Sequence, residues 1–150
     1  MLINEENIEK AKKIIKNTKE KPIIVMAKDN LFNRKILEFG KFDILLSVEK
    51  EREKDSLRQI DSGLNHVLAK IALEKNVAIG IDINEISKLG KKEKAIRLSK
   101  IIQNIKICRK AKTKTIGINF KDKRNAFSFF ISLGASTKQA QEAVQNSIHL

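Results

Sequence analysis

Tryptophan and tyrosine are absent from this 150-residue chain. The phenylalanines fall in apolar positions such as Phe127, Phe129 and Phe130. Modules that bind single strands by stacking display aromatic rings in a basic setting. This argues against an RRM or OB-type binder. Cys108 is the one cysteine, which rules out a disulfide framework and a four-thiolate zinc site. His66 and His149 lie far apart in sequence, which argues against a histidine-rich metal hydrolase. No apolar run approaches the length of about 18 residues that crosses a bilayer, and the first residues carry no secretion-signal core. A soluble, cytoplasmic protein with no membrane partner is expected. P-loop, G-x-G-x-x-G and G-x-S-x-G patterns are missing, as is any metal-ligand spacing.

What the chain has in excess is positive charge. Lys and Arg number 31 against 18 Asp and Glu, a net of +13, while 41% of residues are hydrophobic. The apolar share argues for a folded core, and the length suits one domain, residues 1–150. A surplus of this size points to an anionic partner, nucleic acid first. The lysines are spread along the whole chain instead of lining one amphipathic helix, which disfavours a membrane surface. Lysine meets phosphate as a point charge, so backbone- and shape-directed binding is expected rather than base readout. The alternative is a solvated lysine surface with no partner.

Periodicity divides the chain into alternating elements. A helix is expected over residues 4–18, capped by Asn4, with Ile8, Ala11 and Ile15 inward. Short continuous apolar runs mark buried strands at 23–26, 43–46, 77–81 and 115–119. Asp29 or Asn30 caps a second helix that ends at Gly40, and 49–55 reads as a charged solvated loop. A third helix covers 64–75, with Leu64, Val67, Leu68, Ile71 and Ala72 as its stripe and Asn76 as its end. The long helix 91–112 turns Leu98, Ile101, Ile102, Ile105 and Cys108 to the core. Arg97, Lys100 and Asn104 fall on an adjacent polar side, while Ile96 and Ile107 project opposite as a candidate partner contact. Asn125 starts a helix ending at Gly134, and Ser136-x-x-Gln139 is a capping box opening the last one. Strand–helix alternation means a parallel sheet with right-handed crossovers. Four strands are half of a (β/α) barrel, so the expected fold is α/β, TIM-barrel-like, reduced or incomplete.

Candidate chemistry is sparse. Asp82 and Asn84 end a strand where barrel catalytic groups sit, and Asp61 and Glu85 could join them. A carboxylate after a strand is more often a helix cap, here for a segment starting near Ile83. A stand-alone metal-dependent phosphoesterase would need Asp61, Asp82 and His66 to converge. A protein-interaction scaffold would use Ile96 and Ile107.

Residues 61–72, Asp-Ser-Gly-Leu-Asn-His-Val-Leu-Ala-Lys-Ile-Ala, followed by Asn76-Val77-Ala78-Ile79-Gly80-Ile81, resemble the central block of the archaeal ribonuclease P protein component 3 family. Arg97-Leu98, the Asn104–Lys110 run with its Cys-Arg-Lys close, and Leu133-Gly134-Ala135 with 140–144 are similar as well. The resemblance runs from about Phe42 to the last helix. It implies a barrel-fold subunit that performs no catalysis itself. The RNA subunit, with magnesium, removes the 5′ leader of precursor tRNA. The protein binds ribonuclease P RNA together with a second small protein subunit and meets precursor tRNA only indirectly. No metal or other cofactor is held by the protein on this reading. The resemblance, with the basic composition, puts Arg58, Lys70, Arg97, Lys100, Arg109, Lys110 and Arg124 on RNA phosphates. Family members carry further strands ahead of the matched region, so a shortened member is expected, its open sheet edge covered by RNA or a partner. The segment 116–121 lacks the family's small Ser-Gly-Ala stretch.

Overall fold

A computed structural model describes residues 1–50 and 60–150. Five strands form one all-parallel sheet: β1 (Leu2–Ile3), β2 (Ile24–Met26), β3 (Ile44–Leu46), β4 (Ala78–Asp82) and β5 (Thr115–Ile118). Their spatial order is their chain order. Helices α1 (Ile8–Asn17), α2 (Asn30–Phe39), α3 (His66–Glu74), α4 (Ile83–Ser87) and α5 (Lys91–Ala111) fill the crossovers, and α6 (Lys123–Ser132) and α7 (Thr137–Gln145) follow β5. This is the reduced, barrel-like α/β sheet expected, and it does not close.

Alternation along the strands separates two faces. Ile3, Val25, Leu45 and Ile79 point to the helices and join Ala11, Ile15, Ile36, Leu37, Leu68 and Cys108 in the larger core. A second core joins Ile81 with Ile101 and Ile105 of α5, Phe130 of α6 and Ala140 of α7. On the other face Ile24, Ile44, Leu46, Ala78 and Ile118 form their own cluster. Register aligns Ile24, Ile44 and Ala78 in one row and Met26, Leu46, Gly80 and Ile116 in the next. Gly80 is needed there: a Cβ would sit 2.8 Å from Ile44 Cγ2 and 3.0 Å from Leu46 Cδ1.

Several expected boundaries move, each for a local reason. Asn7, not Asn4, caps α1, accepting from the amides of Glu9 and Lys10. Asn65 caps α3, which leaves Val67 52% exposed and puts Ala69 inside instead. Lys75 ends α3, and Asn76 follows in a left-handed conformation that asparagine tolerates. Asp122, not Asn125, caps α6. Asp82 caps α4, as a carboxylate after a strand was expected to do. Ser136 accepts from the Gln139 amide, but the Gln139 side chain donates to the Ile105 carbonyl and does not complete a capping box. Glu49 is buried, which corrects its placement in a solvated loop; 51–55 lies outside the described residues. Ile102 is exposed instead of in the core, and Ile107 packs against the larger core.

The β5 edge is partly covered by the chain itself. Ile148 pairs with Ile118, donating to the Gly117 carbonyl and accepting from the Asn119 amide. That segment satisfies part of the β5 edge.

Candidate nucleic-acid interface

The polar side of α5 faces inward. Arg97, Ile101, Asn104 and Cys108 recur at helical spacing along one stripe, and all four are buried. Arg97 Nε donates to Glu49 Oε1 at 3.1 Å and Nη2 to Glu85 Oε2 at 2.8 Å. Ser47 Oγ and Lys50 Nζ, each at 2.9 Å, also donate to Glu85. The network ties the residues after β3 to α4 and α5. Asn104 Nδ2 donates to the Ser62 carbonyl and Gln103 Nε2 to that of Ile60, which fastens the 60–63 segment to the same helix.

The two carboxylates on Arg97 respond differently. For Glu85 burial raises the pKa, but hydrogen bonds from Lys50, Arg97 and Ser47 outweigh it and hold the carboxyl below its usual range. For Glu49 burial dominates over the charge of Arg97 and raises it. Geometry accounts for the contrast, since Glu49 Oε2 is buried with no hydrogen-bond partner among the described residues. Burial also pushes the Cys108 thiol up to about 12, as suits a small core residue.

The expected phosphate ligands are thus divided. Arg97 is buried on two carboxylates, and Lys100 is buried as well. Lys70, Arg109, Lys110 and Arg124 are exposed, and Arg58 lies outside the described residues. Thr113 Oγ1 donates to the Ala69 carbonyl at 2.7 Å, which ties the segment after α5 to α3. Arg109 reaches the Gly134 carbonyl at 3.4 Å, placing its guanidinium at the α6–α7 turn. Of the candidate partner contacts, Ile96 is 45% exposed while Ile107 is partly buried against the core, so they do not form one open patch.

A cationic cluster that sequence reasoning missed surrounds Phe39. The ammonium groups of Lys12, Lys16 and Lys41 lie 5.8–5.9 Å from its ring centroid. The three come from α1 and the α2–β3 turn, and no sequence spacing announces their convergence.

The residues of the phosphoesterase alternative hold structural posts. Asp82 is buried, accepts from the Asn84 amide, and receives Asn119 Nδ2 at 3.1 Å on both oxygens. Asp61 accepts from the Gly63 amide, and His66 is exposed at the start of α3. Among the described residues no three His, Cys, Asp or Glu side chains are grouped to hold a metal ion. None of the described helices is long and apolar enough to cross a membrane.

No protein-family model matches the chain. Its sequence is 29% identical over 113 residues to ribonuclease P protein component 3 of Methanococcus maripaludis strain C7, covering 75% of this chain and 45% of that protein. The corresponding protein of Methanococcus vannielii is 28% identical over 113 residues, covering 75% and 46%. The chain thus spans less than half the length of these relatives. In fold it is similar to a chain in a cryo-EM structure of archaeal ribonuclease P with mature tRNA, with a TM-score of 0.82 at 22% identity, covering 96% of this chain and 63% of that one. In sequence the chain is thus similar to ribonuclease P protein component 3, as the resemblance of residues 61–83 and of the long helix implied.

Proposed function

We propose that this chain is a non-catalytic, RNA-binding subunit of a ribonuclease P that removes 5′ leaders from precursor tRNA. The observation that carries the reading is the similarity to ribonuclease P protein component 3. The charge agrees with it. With Arg97 and Lys100 buried, phosphate contact falls to exposed side chains such as Lys70, Arg109, Lys110 and Arg124. These screen phosphate repulsion in a folded RNA and release its counterions, so binding weakens steeply with salt. Magnesium serves the RNA, which breaks the bond, and the protein supplies no acid, base or nucleophile. A second small protein subunit binds beside it, with Ile96 as a contact, and precursor tRNA is met through the RNA. The complex works in the cytoplasm. Copurification from native extract followed by sequencing of bound RNA tests the reading. Ribonuclease P RNA as the dominant species is expected; its absence, with other RNA or none recovered, would overturn it.

A further inference from the structure

A cavity of about 390 Å³ opens at the C-terminal end of β4 and β5, between α4 and the start of α6. Its wall includes Phe120, Phe129, Asn84, Asn125, Lys121 and Asp122. Phe129 stands edge-on to Phe120 at 5.2 Å and to Phe130 at 5.6 Å, so its ring is held in place by two others. Neither Asn84 nor Asn125 uses its side-chain amide to bond another described residue; their backbone amides donate to Asp82 and Asp122, and the Asn84 carbonyl accepts from Ser87 Oγ at 3.0 Å. Each amide offers both a donor and an acceptor, the complement of a nucleobase edge. Lys121 lines the opening, Lys94 donates to the carbonyl of Ser87 in its wall, and Lys123 and Arg124 are exposed on the α6 turn that follows Asp122. An aromatic wall with free amides suits a nucleobase, and a cationic mouth suits its phosphate.

We propose that this cavity takes a single unpaired RNA nucleotide, its base against Phe129 between Asn84 and Asn125, its phosphate at the lysine rim. The Asp122 carboxylate, which caps α6, sets this polarity by repelling phosphate from the interior. This rests on the RNA-binding reading and adds a base-holding site to it. Such a pocket differs from an open stacking platform, because one ring in a walled cleft selects a nucleotide already out of the stack.

The test uses the full chain and two RNA hairpins, identical except that a 2-aminopurine is bulged in one and paired in the other. The chain has neither Trp nor Tyr, so the probe's fluorescence is read without interference. The bulged RNA is expected to bind roughly tenfold tighter, with a fluorescence change on binding. Asn84→Ala/Asn125→Ala and, separately, Phe129→Leu, which keeps apolar volume but removes the ring, should abolish that preference. Affinity for the paired hairpin should be unchanged in both. Equal binding of the two hairpins by wild type, or a preference that survives both variants, overturns the proposal while the RNA-binding reading stands. If neither hairpin binds at low salt, that reading fails and the RNA site with it. Adenosine monophosphate bound under those conditions, and released by Asn84→Ala/Asn125→Ala, would make the cavity a free-nucleotide site instead.

Discussion

Arg97 on α5 meets Glu49 after β3 at 3.1 Å with both side chains almost wholly buried, and its second nitrogen spans to Glu85 at 2.8 Å. A guanidinium taken out of water in this way is held by carboxylates from two other parts of the sheet's C-terminal end. It is a structural cation, distinct from the exposed ones that set the protein's charge.

Removing it should therefore harm folding and spare binding. Arg97→Ala leaves a buried carboxylate without its partner, and breaking such a pair costs about 3–5 kcal/mol. Urea unfolding followed by circular dichroism is expected to show that loss. RNA affinity per folded molecule is expected to stay within about twofold. A stable variant with much weaker RNA binding would instead make Arg97 a phosphate ligand.

The two carboxylates should titrate stability with opposite sign. Glu85 has a lowered pKa in the fold, so it stabilises above its unfolded value, and that contribution is lost as pH falls through the folded value. Glu49 has a raised pKa, so its contribution is complete below the unfolded value and is lost as pH rises through the folded one. Unfolding free energies from pH 3 to 8 should show the deficit of Glu85→Gln shrinking toward acid. Relative to wild type, Glu49→Gln should gain as pH rises. Parallel profiles for both variants would contradict this assignment.

The exposed cations should act through phosphate charge alone. Lys70→Gln/Arg109→Gln/Lys110→Gln is expected to weaken RNA binding and flatten its dependence on salt, by up to about 0.9 in log–log slope for each duplex phosphate no longer neutralised. Thermal stability should change little, since such surface substitutions usually fall within about 0.5 kcal/mol each. An unchanged salt slope in a filter-binding assay would remove these residues from the interface.

Gly80 should be intolerant of even one methyl group. In Gly80→Ala the added carbon meets Ile44 Cγ2 at 2.8 Å and Leu46 Cδ1 at 3.0 Å, both on fully packed β3 side chains. Overpacking of this kind costs about 1–3 kcal/mol. Chemical denaturation reads the loss, and a variant as stable as wild type would show that the sheet face yields easily.

The fold was legible where one physical signal dominated. Continuous apolar runs at Ile44–Leu46 and Ala78–Ile81 are strands buried on both faces, and their alternation with helices announced the parallel sheet. β1 is two residues long and leaves no periodic trace. Caps slipped where several candidates compete, as with Asn4 against Asn7, because only geometry decides which side chain reaches the free amides. The α5 stripe misled for a related reason. Arg97, Lys100 and Asn104 read as a polar side until Glu49, distant in sequence, supplies the partner that makes burial tolerable. The stripe Arg97–Ile101–Asn104–Cys108 was itself the available clue, since polar residues on an apolar helical line are either capped or paired. The cavity beside β5 is assembled from three segments and has no local signature.

Reconstituted cleavage decides whether the chain serves a catalytic RNA. Precursor tRNA is incubated with ribonuclease P RNA and its partner proteins across a magnesium series, with and without this chain, and the chain is also assayed alone. The chain alone is expected to cut nothing, and its addition to lower the magnesium needed for 5′ processing. Identical cleavage rates at every magnesium concentration, or hydrolysis by the chain in the absence of the RNA, would contradict that role.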